Sequence, residues 1–269
     1  MLILSLTIFF FGLALGSYAN CLIWRLYKGE TTFGHSYCPH CRHELSWKDN
    51  IPLYSFFSLH GRCRYCRQPI SWQYPLVEAA VGLLFLFFWL RHTSEASFSY
   101  DAFLFLARES SFWLLLVRDL IAAWVLTVVF VFDLRYFLVS TSLSAGAALV
   151  FLAINLLLGA DWLLSFILIL SGAAFFGIQY LATKGKGIGE GDIWLGGMMG
   201  ALFMHANQLV LAVFATYMFG LLAALGLLLA GKKSLSSKLP LGVFIALGTL
   251  FALAFGGRIL ESYWHYFQL

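Results

Sequence analysis

Apolar runs separated by short polar breaks make up most of this chain. They cover residues 2–26, 74–90, 120–132, 143–158, 162–182, 192–203, 209–230 and 239–255. A hydrocarbon core about 30 Å thick takes roughly 20 apolar residues per helix. The pattern predicts an all-α polytopic membrane protein of about eight transmembrane helices. Gly12 and Gly16 offer the first run a small face for close helix contact. Gly196, Gly197 and Gly200 break the short sixth run and permit close packing there. The one polar stretch of any size, 27–72, lies between the first two runs. The expected division is residues 1–26 as a first transmembrane helix, 27–72 as a cytoplasmic metal-binding loop, and 73–269 as a membrane domain.

Composition agrees with this pattern. The chain is 61% hydrophobic and 11% charged, with a mean hydropathy of +0.84, whereas soluble domains carry about 25% charged residues. The net charge of +4 is spread unevenly, so it speaks to topology and not to nucleic acid. With the 27–72 loop inside, thirteen Lys and Arg fall on the cytoplasmic side. Only Arg91, Arg108, Arg118 and Arg258 fall elsewhere. The first run lacks a basic leader and a clear cleavage site, and is read as a retained span. No repeat of 20–50 residues is evident.

The polar loop carries Cys38-Pro39-His40-Cys41 and Cys63-Arg64-Tyr65-Cys66. Two such knuckles suit a tetrahedral four-thiolate zinc site. In a basic cytoplasmic loop, disulfides are the weaker alternative. The expected ligands are Cys38, Cys41, Cys63 and Cys66, around a structural zinc closed to water. His35, His40, His43 and His60 are then surface residues.

Two aspartates sit at the edges of apolar runs: Asp133 after the third, and Asp192 in Gly189-Glu190-Gly191-Asp192 at the start of the sixth. Burying a carboxylate in lipid costs roughly 2.5–3.5 kcal/mol on insertion scales, so a carboxylate at the edge of an apolar helix needs a reason. Each could simply cap a helix or pair with Arg135 or Lys186. Together, on one membrane face, they suit an aspartyl protease dyad in which two carboxyls share one proton. No Ser/His/Asp set or His-Glu-x-x-His motif is present. Asp192 at a helix amino terminus and Asp133 at a helix carboxy terminus predict that Asp192 is the ionised member. Asn20 reads as a helix–helix hydrogen bond. Glu78 reads first as a helix-dipole partner, then as an anchor for the loop, then as part of a site.

Laid out this way, the chain resembles the prepilin peptidases of type IV pilus and type II secretion systems. The resemblance rests on Gly16-Ser17-Tyr18-Ala19-Asn20 with Arg25-Leu26, both cysteine pairs, and Asn50-Ile51-Pro52 between them. It continues through Tyr74-Pro75-Leu76-Val77-Glu78, Asp133, Gly189-Glu190-Gly191-Asp192 and Leu239-Pro240-Leu241-Gly242. It implies a bacterial inner-membrane aspartyl protease with catalytic Asp133 and Asp192. Such an enzyme cleaves the short basic leader of prepilins and pseudopilins after glycine. Many members also methylate the new amino terminus with S-adenosylmethionine. The chain departs from the family pattern at Ser140, where proline is usual, and at Trp194, where lysine is usual; neither change removes a carboxylate. A basic leader would meet acidic groups, with Glu190, Glu78, Glu44 and Asp49 as candidates. Two other classes stay open: a transporter or channel using the aspartates as a proton or cation relay, and a non-enzymatic scaffold docking through the loop.

Overall fold

The computed structural model describes residues 2–94, 110–231 and 239–267. Arg108, Lys232, Lys233 and Lys238, used in the charge count, lie outside the described residues. The chain divides into two compact units, Met1–Leu116 and Val117–Leu269.

In the first unit, α1 (Leu2–Lys28) packs on α3 (Gln73–Ser94). Glycines set the closeness of this pair. A Cβ at Gly16 would stand 2.7 Å from the Glu78 Cα, and one at Gly12 would stand 2.9 Å from the Gly82 Cα. Backbones in such contact gain packing that lipid cannot supply. Phe85, Phe88 and Trp89 of α3 are fully buried beside them. The buried Asn20 amide donates to the Tyr74 carbonyl at 3.1 Å and accepts from Gln73 Nε2 at 3.2 Å. It thus ties α1 to the start of α3, as expected of a helix–helix hydrogen bond.

The polar loop leaves α1 under the control of Arg25, which is 4% exposed. Its guanidinium donates to the carbonyls of Thr32, Gly34 and His35 at 2.7–3.0 Å. The short helix α2 (Tyr54–Ser58) lies between the two cysteine knuckles. Those knuckles repeat each other 25 residues apart. Cys38 N–H bonds the His43 carbonyl and Arg42 N–H the Cys38 carbonyl; Cys63 to Gln68 and Arg67 to Cys63 match them. Arg42 and Arg67 both take a positive φ, 57° and 62°. Ser36 to Trp47 and Gly61 to Trp72 share Cys, Cys, Arg, Ser and Trp at equivalent places. The similarity is confined to a dozen residues, which hold the turn geometry and those five side chains.

The second unit contains α4 (Ser110–Tyr136, most of its length), α5 (Thr141–Leu157), α6 (Trp162–Thr183), α7 (Glu190–Leu202), α8 (Ala206–Leu229) and α9 (Leu241–Phe267). Ser140 caps α5, its side chain accepting from Leu143 N–H; Asp161 caps α6 in the same way through Leu164 N–H. Lys184 closes α6 in the left-handed conformation. Among the described residues no strand forms beyond two isolated bridges in the polar loop.

All eight apolar runs form helices; the fourth and sixth keep nearly the expected bounds, whereas the third and the last run on past theirs. Six are long and apolar enough to cross a membrane. The fourth run gives only 17 residues and the sixth only 13, about 26 and 20 Å of helix. The third run does not stop at Phe132: α4 continues through Asp133 to Tyr136. The last helix runs on to Phe267 instead of about Phe255.

The short α7 is buried along most of its length. It lies antiparallel to α6 so closely that added Cβ atoms at Gly172, Gly196 or Gly200 would strike the facing backbone. Its far end is closed by Asn155, whose amide donates to the carbonyls of Ala201 and Leu202 at 2.9 and 3.1 Å. These are carbonyls that a helix end leaves without partners. Arg118 holds the Asn155 oxygen at 3.1 Å and pairs with Asp119 at 2.9 Å. The charges that blur the third run therefore serve to seat α7. Replacing Gly196 with valine forces α6 and α7 apart and is expected to lower stability by about 1–3 kcal/mol or more. Thermal unfolding in detergent measures this, and parental stability in that variant would contradict the backbone contact.

Candidate active site and metal centre

Asp192 is the third residue of α7, and it is only 6% exposed. Its Oδ2 accepts the Gly189 N–H at 3.0 Å, so the side chain satisfies one of the free amides of its own helix start. Glycine at 191 is required, because a Cβ there would strike the side chain of Val139. That contact brings the start of α7 against the segment that follows α4.

Asp133, 5% exposed, lies one turn before the end of α4. Its Oδ2 accepts the Val243 N–H at 3.1 Å, and the Gly242 N–H also bonds the carboxylate. These amides open α9. Asp133 therefore faces a helix amino terminus, like Asp192, but one belonging to another helix. Gly242 sits between Asp133 and α7: a Cβ at this position would stand 2.8 Å from Asp133 Oδ2 and 3.2 Å from Leu195 Cδ1. Leu195 is one turn after Asp192 on α7, so the contacts across Gly242 bring the two aspartates to the same part of the second unit.

This weakens the expectation that opposite dipoles separate the pair. Asp133 does not end its helix, and both carboxyls are held by N–H groups of a helix start. The roles of base and acid are not set by helix direction. Gly242 and Asn155 had no role assigned from sequence. The glycine had a signal in the motif Leu239-Pro240-Leu241-Gly242, where a residue without a side chain opens an apolar run. Asn155 looked like any polar residue near a helix end.

Of the acidic residues considered for substrate entry, Glu190 is exposed at the first turn of α7, and Glu44 is exposed in the loop. Glu78 is buried, accepting the Leu53 N–H at 2.8 Å and the Ser17 hydroxyl. It lies beyond the first turn of α3, so its first-ranked reading as a dipole partner gives way to that of loop anchor. Leu53 holds a φ of 60°, which few non-glycine residues adopt, and the Glu78 bond fixes it there. Asp49 is paired with Arg64 at 2.7 Å and bonded by Ser46.

In the first unit the four knuckle cysteines converge. Their sulfurs all lie within 4.8 Å of one another, and none is in a disulfide. Cys38 and Cys66 are 3.9 Å apart, near the separation of about 3.8 Å that tetrahedral zinc–thiolate bonds impose. Burial disfavours a thiolate on Cys63, but the N–H groups of Cys66 and Tyr65 outweigh it and bring the thiol down to about 7. The Gln68 N–H favours a thiolate on Cys66, yet burial and the neighbouring sulfurs push it up to about 12. Four crowded sulfurs resist joint ionisation unless a cation lies between them, so the donor set fits a divalent, thiophilic metal. His35, His40, His43 and His60 are all exposed and stand outside this cluster.

Fold and sites together define a multi-pass helical membrane protein with a tetra-cysteine loop and two buried, mutually close aspartates. Residues 10–92 match the bacterial peptidase A24 N-terminal domain, and residues 120–225 match the type IV leader peptidase family. The chain belongs to this family. It is 31% identical over 234 residues to a prepilin leader peptidase/N-methyltransferase of Myxococcus xanthus, a match covering 84% of this chain and 64% of that one. A protein of the same name from Klebsiella pneumoniae is 48% identical over 86 residues, 29% of this chain and 38% of its own length. One from Legionella pneumophila is 27% identical over 287 residues, covering 96% of this chain and 93% of that one. The chain thus spans less than two thirds of the first two relatives and nearly all of the third. No solved structure matches it at a significant level.

Metal analysis of purified protein is expected to give about one zinc per chain. A Cys38→Ser, Cys41→Ser double variant loses the metal, and its loop becomes protease-sensitive. Metal-free protein with all four cysteines oxidised would contradict the site.

Proposed function

We propose that this protein is a membrane aspartyl endopeptidase. It removes the short basic leader of type IV prepilins and pseudopilins, cutting after glycine at the cytoplasmic face of a bacterial inner membrane. The observation that carries the reading is that Asp133 and the helix bearing Asp192 meet across Gly242, with each aspartate buried and bonded to backbone N–H groups. The substrate class comes from the names of the relatives. The orientation comes from the bias of Lys and Arg toward the side of the zinc loop.

Hydrolysis of an amide needs an activated water and a proton for the leaving amine. Two like charges this close do not both ionise readily, so the pair holds one proton between them. The ionised member takes a proton from water, and the protonated member polarises the scissile carbonyl. The two titrate as a unit. The backbone N–H groups at the starts of α7 and α9 fix both carboxyls before substrate arrives. A zinc held by Cys38, Cys41, Cys63 and Cys66 would be structural, because four thiolates would leave no position for water. Methyl transfer to the new amino terminus is proposed from the relatives' names alone, with S-adenosylmethionine as the donor, and no described residue is assigned to hold that donor.

The transporter reading is less well supported. A cation site needs oxygen ligands facing the ion, whereas the N–H groups of two helix starts supply partial positive charge at the aspartates.

Asp133→Asn and Asp192→Asn are each expected to insert normally and to slow prepilin processing by at least about 1,000-fold, the scale of losing one member of a catalytic unit. Mass spectrometry of a co-expressed prepilin reports leader loss and amino-terminal methylation together. Full processing by either variant would rule out the dyad. Gly242→Val displaces Asp133 and is expected to slow cleavage by about 100-fold, since a misplacement near 1 Å has that effect; an unchanged rate would show that Asp133 does not need the α9 amides.

A further inference from the structure

A pair of polar side chains on α6 and α8 has no part in the dyad. The Tyr217 hydroxyl donates to Gln179 Oε1 at 2.7 Å, and Gln179 Nε2 donates to the Phe175 carbonyl at 3.1 Å. Tyr217 is 38% exposed. Around it the exposed surface is apolar: Phe175, Ile178, Phe214 and Met218. The two groups of this pair satisfy each other in apolar surroundings, and both keep hydrogen-bonding capacity for a further partner.

Its position points to the partner. In the antiparallel contact of α6 and α7, Gly172 faces Gly196 and Leu168 faces Gly200. Extending that register by one turn puts Asp192 level with Phe176. The Tyr217 ring packs edge-on against the adjacent Phe175, with centroids 6.0 Å apart. Gln179 is one helical turn beyond Phe175. The pair therefore stands near the level of the Asp192 carboxyl.

The bonds already made leave a definite remainder. Gln179 keeps one amide N–H and one oxygen lone pair, and the Tyr217 oxygen keeps its acceptor lone pairs. One donor beside one acceptor matches a peptide unit. A peptide must leave the helical state to be cut, and its opened N–H and C=O groups then need partners in apolar surroundings. We propose that Gln179 and Tyr217 form the edge of the substrate site that holds one backbone peptide unit beside the scissile bond. This rests on the peptidase reading above. Tyr217 orients the Gln179 amide as well as offering its own oxygen, so the two side chains act as one element.

The test uses the full chain in detergent with a prepilin substrate, and with the same substrate carrying an ester in place of the amide next to the cleaved bond. Tyr217→Phe keeps the ring, and Gln179→Met keeps the length of the side chain. Each is expected to lower kcat/KM on the amide substrate by about 3- to 10-fold, the range for one neutral hydrogen bond. The double variant is expected to lose no more than the worse single variant. The unfolding temperature stays at the parental value. The ester costs the parent several-fold and costs Tyr217→Phe nothing further. Unchanged kcat/KM in both variants would overturn the proposal, as would an equal ester penalty in parent and Tyr217→Phe, while Asp192→Asn remained inactive. Normal cleavage by Asp192→Asn would instead remove the peptidase reading itself.

Discussion

Two carboxyl groups must be kept at the edge of an apolar helical bundle, and backbone amides at helix starts make that tenable. An unpartnered carboxylate there costs several kcal/mol. Asp192 meets its own helix start through Gly189, and Asp133 meets the start of α9 through Gly242 and Val243. Much of the second unit serves these bonds. The glycines of α6 and α7 let the short helix lie deep, Gly191 lets it approach Val139, and Gly242 leaves room for the Asp133 oxygen. Asn155, held by Arg118, satisfies the carbonyls at the opposite end of α7. A 13-residue helix can then end without reaching the far side.

The first unit uses the same economy on a different problem. A polar loop of this size has little apolar core, and its shape depends on a few strong anchors. Arg25 gathers three carbonyls where the chain leaves α1. Glu78 reaches from α3 to the backbone of Leu53. The cysteine cluster joins two turns of like geometry, and a metal between the four sulfurs would contribute directly to the folding of the loop.

What could be read from the sequence follows the range of the interactions involved. The helices were legible because each is a long apolar run, and the cysteine cluster because its ligands come in close pairs. The ends of helices were less so: α4 runs past Asp133 because the polar segment Asp133 to Tyr136 keeps helical geometry while one carboxyl reaches another helix. That bond spans 110 residues of sequence, and no local pattern announces it. The two aspartates were visible as edge charges, but their shared relation to helix starts was not, which weakens the argument from opposite dipoles. The likeness of the two knuckles covers only a dozen residues, too few to stand out beyond the cysteine pairs themselves. Glu78 was visible as an oddity in an apolar helix, and only the position of Leu53 gave it a purpose.

The central claim is that Asp133 and Asp192 hold one proton as a pair. Infrared difference spectra of the parent against Asp133→Asn and against Asp192→Asn, taken near neutral pH, test it most directly. A shared proton gives a protonated-carboxyl band in the parent that either substitution removes, because the remaining aspartate, freed of a like charge and bonded to backbone amides, ionises. A band that survives in either variant would show that the proton belongs to one carboxyl alone.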